Sequence, residues 1–160
     1  MRKSLFIIAI LFPFIAAVAQ PRAIGLRYGY ATEASYQHSV DEQSYLQFDA
    51  GTSGFNFDGI QAVATFNFIF ATPDWTDYGT WEWFAGAGAG LGIAGWGNRD
   101  RQSSFFMGVV GNIGLAYNFE FPLQISADFR PIIGPRFYKD GIGLHNSGFY
   151  DAAISFRYKL

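Results

Sequence analysis

From residue 148 to the carboxyl terminus, apolar and polar positions alternate. Tyr150, Ala152, Ile154, Phe156, Tyr158 and Leu160 fall on one side of an extended chain, and Asp151, Ala153, Ser155, Arg157 and Lys159 on the other. Successive side chains of a strand point to opposite faces, so the segment predicts a strand with one apolar and one polar face. Seven further segments carry the same period, near 23–30, 33–40, 44–50, 55–70, 80–94, 105–119 and 123–130. In the fifth, Trp81, Trp83, Ala85, Ala87, Ala89, Leu91 and Ile93 oppose Glu82, Phe84 and the glycines 86, 88, 90 and 92. In the fourth, Phe55 and Phe57 are out of phase with the later residues, which predicts a bulge or twist near Asp58-Gly59. Turn-rich residues separate the segments, and 95–103 and 131–147 read as the longest connections.

One face of every segment is apolar, with aromatic residues near the ends: Tyr28 and Tyr30, Trp81 and Trp83, Tyr117 and Phe119, Phe156 and Tyr158. The other face carries glycine together with Arg27, Asp49, Glu82, Asp128, Arg130, Asp151 and Arg157. If the apolar faces pointed inward, a barrel of eight strands could not enclose them all. With the faces reversed, glycine relieves crowding inside and aromatic girdles meet the headgroup level outside. The expected fold is therefore all-β, an eight-stranded antiparallel up-and-down transmembrane β-barrel. Charges buried in its lumen must pair, so an internal network linking Arg27, Glu82, Asp128, Arg130, Asp151 and Arg157 is expected.

The first residues read as an address label. Arg2 and Lys3 precede an apolar run from Leu5 to Ile15, and Ala17-Val18-Ala19 supplies small residues for a signal peptidase. The run is too short to span a bilayer, which needs about 20 apolar residues. A signal peptide over 1–19 and one barrel domain over 20–160 are expected. The formal charge of −2 becomes more negative without Arg2 and Lys3, and no basic stripe is present to bind nucleic acid. Nineteen glycines, 19% aromatics and only 15% charged residues suit neither a helical membrane protein nor an ordinary soluble domain.

These residues resemble the small eight-stranded outer-membrane barrels of the OmpA/OmpX type. They are closer still to a short-barrel family of Bacteroidetes-type bacteria. The likeness is carried by residues 24–29 (Ile-Gly-Leu-Arg-Tyr-Gly), Tyr36-Gln37-His38, the run 81–92, and 111–119, 122–131 and 154–158. It implies a cell outer membrane location, lipid and lipopolysaccharide as surroundings, and a monomer. It also implies a terminal strand read by the barrel-assembly machinery, with Phe156 and Tyr158 in the signal positions and Leu160 where phenylalanine is usual. No catalytic, cofactor or metal residues come with the resemblance.

Chemistry beyond architecture is sparse. His145-Asn146-Ser147 has the H-x-S spacing of a barrel-borne lipid A deacylase, but it falls in an expected loop without a visible orienting acid. The reading is non-enzymatic, with a barrel-based lipid-modifying enzyme or a soluble lipocalin-like ligand-binding barrel as alternatives. The glycines of 86–92 recur at every second residue, as a strand interior does, and lack a phosphate loop's lysine. Asp74, Asp77, Asp100 and Asp140 read as solvated loop carboxylates, and two histidines without cysteine are too few for a transition-metal site. Phe84, Phe106 and Arg130 are expected to obstruct the lumen, so no appreciable conductance is expected.

Overall fold

The computed structural model describes residues 21–54, 57–95, 103–145 and 147–160. The signal segment 1–19, Phe55, most of the 95–103 connection and Asn146 lie outside the described residues. Among the described residues ten strands form: β1 (Pro21–Gly29), β2 (Thr32–Ser39), β3 (Ser44–Ser53), β4 (Gly59–Ala71), β5 (Gly79–Ala94), β6 (Ser104–Phe119), β7 (Leu123–Phe129), β8 (Ile132–Tyr138), β9 (Gly141–His145) and β10 (Ala152–Lys159).

β1 to β6 form an antiparallel meander. β7 and β8 lie end to end along β6, with Ile113 opposite Phe129 and Val110 opposite Ile132. Together they make one wall strand interrupted at Arg130 and Pro131. Proline cannot donate to a ladder, but the carbonyl of Pro131 accepts the amide of Gly111 at 3.1 Å, so contact with β6 continues. β9 folds back on β8, a one-turn 3-10 helix spans Ser147–Tyr150, and β10 completes the eighth wall strand. β10 pairs with both β7 and β1, which closes the ring. The fold is a closed eight-stranded antiparallel up-and-down barrel.

Three sequence expectations are corrected. The segment 131–147 is mostly a β-hairpin, because Ile132 to Tyr138 extend the ladder on β6 beyond Pro131 and β9 pairs back onto them. Pro135 sits at a gap in the β6–β8 ladder, where its missing N–H costs nothing. The fourth strand starts at Gly59 and not at Phe55: Gly54 and Phe57 take positive φ angles of 79° and 54°, and Ser53 pairs directly with Gly59. The register shift in β4 comes instead at its other end, between Ile69 and Ala71. The last strand begins at Ala152, the preceding residues being in the 3-10 turn.

Burial alternates along the strands with the small and polar residues inside. The lumen-facing glycines are occupied by their neighbours. A Cβ on Gly114 would lie 2.5 Å from the ring of Phe84, its cross-strand partner, and one on Gly92 would meet the ring of Phe106 at the same distance. Each phenylalanine thus brings the tip of its ring over a glycine of the adjoining strand, taking the space a side chain there would need. Phe84 packs with Tyr45, Ile69 and Ala116, while Val63, Val110 and Ile132 form a second apolar cluster.

Candidate functional site in the charged lumen

Beside these clusters, on the walls of β1 to β3, β7 and β10, lies a set of buried ions. Arg27 projects inward from β1 because Leu26 and Tyr28, either side of it, point out. Its Nη1 donates to Glu33 Oε2 (3.1 Å) and Asp151 Oδ1 (2.8 Å), and its Nη2 to Asp128 Oδ1 (2.6 Å). Arg130, at the break between β7 and β8, donates to Asp151 Oδ2 through Nε (3.0 Å), to Asp49 Oδ2 through Nη1 (2.6 Å) and to Glu33 Oε2 through Nη2 (2.6 Å). Glu33 and Asp151 therefore bridge two guanidinium groups, and both arginines are fully buried.

Amides extend the set toward other walls. Gln61 on β4 donates to Glu33 Oε1 (2.9 Å), and Gln47 donates to Asp49 Oδ2 (2.8 Å) while accepting from Gln37 (3.0 Å). Asn112 on β6 donates to Asn67 Oδ1 on β4 at 2.8 Å, spanning the glycine-rich β5. That bridge needs β5 to be thin on its inner face, and Gly86 stands opposite both Asn67 and Asn112.

The structure brings together four of the six residues expected in the network: Arg27, Asp128, Arg130 and Asp151. Arg157 is buried below them and is held by neutral partners, the hydroxyls of Ser35 (2.8 Å), Ser126 (2.8 Å) and Ser155 (3.0 Å) and the carbonyl of Gln124 (3.4 Å). Glu82 lies apart, paired with Arg22 at the lower rim, where Arg22 also covers the ring of Tyr45 at 4.7 Å. Sequence reasoning missed Glu33 and left Asp49 out of the network. Both are in phase with inward positions, Glu33 with Ser35 and Gln37, and Asp49 with Gln47, and that phase was the available signal.

The outer face has the opposite character. Leu26 is 61% exposed, Ile154 51% and Phe156 53%, while Arg27, Ser155 and Arg157 beside them are buried. A chain of rings runs along the lower rim: Trp75 to Trp81 (5.6 Å), Trp81 to Tyr117 (4.6 Å), Tyr117 to Phe119 (4.6 Å) and Phe119 to Phe121 (4.8 Å). A shallow concavity of about 1120 Å³ crosses the outer wall, floored by Ala34, Ala50, Ala62, Ala64 and Ala89. Its lining also includes Asp49, which belongs to the ionic cluster. Phe156 and Tyr158 of the expected assembly signal face outward, and the Leu160 amide donates to Arg22 O at 3.1 Å.

His145 is buried with its ring stacked on Phe106, centroids 3.9 Å apart and planes at 4°. Among the described residues, no three acidic, histidine or cysteine side chains are placed to hold a metal ion. Phe84, Phe106 and Arg130 are all buried inside the barrel. No family model, no curated protein and no solved structure matches this chain.

Proposed function

We propose that this chain is an integral outer-membrane β-barrel protein with a structural or surface-interaction role and no enzymatic activity. One observation carries the reading: ionised side chains are inside and large apolar ones are outside. Three arginines are fully buried while Leu26, Ile154 and Phe156 are more than half exposed. In water such a surface is unfavourable by about 25 cal/mol for each Å² of apolar area, whereas lipid is its natural solvent. A closed barrel also satisfies every wall strand without an edge, the condition for crossing hydrocarbon with strands. The rings along the lower rim suit an interface belt.

The partners in this reading are outer-membrane lipid and lipopolysaccharide outside, and the barrel-assembly machinery acting on Phe156, Tyr158 and Leu160. The protein is monomeric, binds no nucleic acid, and has a lumen too filled for flow. A soluble lipocalin-like barrel would carry its apolar residues inward, and a lipid-modifying enzyme would need His145 free to activate a nucleophile instead of stacked on Phe106.

Cell fractionation combined with heat-modifiability on a gel tests this. Recovery in the outer-membrane fraction, with a folded band that shifts on boiling, is the expected result. Release from cells without detergent, with no such shift, would overturn the proposal.

A further inference from the structure

The upper edge of the barrel is oblique. At the lower end the strands meet at the turns 40–43, 72–78 and 120–122. At the upper end β1 and β2 reverse at Tyr30 and Ala31, so these walls hold 9 and 8 residues, and β10 beside them holds 8. On the far side β5 and β6 have 16 residues each, and the β8–β9 hairpin rises alongside with Phe137 opposite Phe105. At about 3.3 Å per residue and a strand tilt near 40°, the short wall stands roughly 20 Å along the axis and the tall wall roughly 40 Å.

The apolar outer face follows the tall wall over its whole height. The rings of Phe105 and Phe137 lie 6.1 Å apart, Ile142 pairs with Phe137, and Leu144 pairs with Pro135. Arg136 is turned inward onto the Ser104 hydroxyl at 2.7 Å, so along the described residues of this hairpin charge returns at Lys139 and Asp140 on the tip. Ile142 and Leu144 are 72% and 60% exposed.

An outer-membrane barrel normally presents an apolar band about 25 Å tall. The short wall falls below that and the tall wall exceeds it. Resting on the outer-membrane reading, we infer that the barrel sits in the bilayer as a wedge. Lipid covers the outer face of the β8–β9 hairpin up to its charged tip, and the same leaflet is drawn down beside β10, β1 and β2. The occupant of the hairpin face is acyl chain, because that face continues the apolar wall below it with no charged residue between. Bilayers accommodate a short hydrophobic wall by thinning locally, at a modest cost.

The chain has no cysteine, so single-cysteine variants report cleanly. Bimane placed by Tyr28→Cys and Ile142→Cys, with Leu144→Cys as a second hairpin site, is read in phosphatidylcholine vesicles. The vesicles carry nitroxide lipids at headgroup or mid-chain depth, and iodide serves as the aqueous quencher. Leu26→Cys and Phe156→Cys mark the mid-wall. The inference expects the headgroup-level nitroxide to quench Tyr28 and both hairpin sites alike, despite a difference in axial height of roughly 15 Å or more. Hairpin labels quenched by iodide and by no nitroxide lipid, with Tyr28 at headgroup depth, would overturn it and leave a flat boundary. If the Leu26 and Phe156 labels also escape every nitroxide, the membrane reading itself fails.

Discussion

Arg27 and Asp128 are joined across an intervening strand. β10 lies between β1 and β7, yet Nε and Nη2 of Arg27 both donate to Oδ1 of Asp128, at 2.9 and 2.6 Å. The pair ties together walls that share no ladder, and Arg27 reaches Glu33 and Asp151 from the same position. Arg27→Met leaves Asp128 short of its partner in a buried site. It is expected to cost about 3–5 kcal/mol, the range for removing one side of a buried ion pair. Urea unfolding of the detergent-folded protein measures this, and adding Asp128→Leu is expected to restore part of the loss.

Arg157 offers the contrast. Its hydrogen-bond partners are the three hydroxyls of Ser35, Ser126 and Ser155 and the amide carbonyl of Gln124. Arg157→Gln is expected to be milder than Arg27→Met, about 1–3 kcal/mol, since it leaves neutral groups unsatisfied and no orphaned ion. Equal losses at the two sites in the same titration would contradict this ordering.

Glu82 sits at the rim with Arg22 and outside the central cluster. Glu82→Gln is expected to change stability by no more than about 1 kcal/mol, as partly solvated pairs do. Asp151→Asn, between Arg27 and Arg130, is expected to cost several times more. The temperature at which the folded gel band disappears separates the two variants.

The phenylalanine–glycine pairs make a steric prediction. Gly114→Ala would set a methyl carbon 2.5 Å from the Phe84 ring and 2.6 Å from the Ala127 carbonyl oxygen, and backbone cannot yield as a side chain can. A loss of about 1–3 kcal/mol is expected, as for overpacking elsewhere. At Gly90 the nearest atoms are methyl groups at 3.2 Å, so Gly90→Ala is expected to be tolerated far better in the same assay.

Asp41 gives a pH dependence in the lower turn between β2 and β3. Its carboxylate accepts the Ser44 hydroxyl at 2.6 Å and the Gln43 amide at 2.8 Å, which hold it below the usual carboxylate range. A folded value below the unfolded one means that the turn's contribution is complete above the ordinary carboxylate range. It is lost as pH falls through the lowered value. Protection of the Gln43 amide, taken against its intrinsic exchange rate at each pH, is expected to fall over that acidic window, and Asp41→Asn to abolish the dependence, as measured by NMR.

Much of the barrel was legible in the sequence because a period of two survives wherever a strand has unlike faces. β5 is the clearest case, with alanine and tryptophan outside and glycine inside. The β8–β9 hairpin was hidden because Pro131, Gly134 and Pro135 read as loop. What makes them strand is the long β6 beside them, a tertiary cause no local pattern carries. Arg27, Asp128, Arg130 and Asp151 could be placed inside by phase, but phase sets only the face and not the height. Glu82 shares their face yet stands at the rim, and Glu33 was passed over at the very start of its strand. Why glycine fills the inner face of β5 and β6 also needed coordinates, since Phe84 and Phe106 lie on glycines of a different strand.

The seam between β1 and β10 joins Ala23 to Lys159, so the first and the last of the described strands become neighbours in the wall. Local hairpins such as β2–β3 can assemble as soon as they emerge, but the cylinder cannot shut until its final segment arrives. Until then two ribbons with unsatisfied amides remain available to pair with any other strand, a hazard that grows with waiting time. Closure therefore rests on the eight residues of β10, which pair with β1 on one side and β7 on the other.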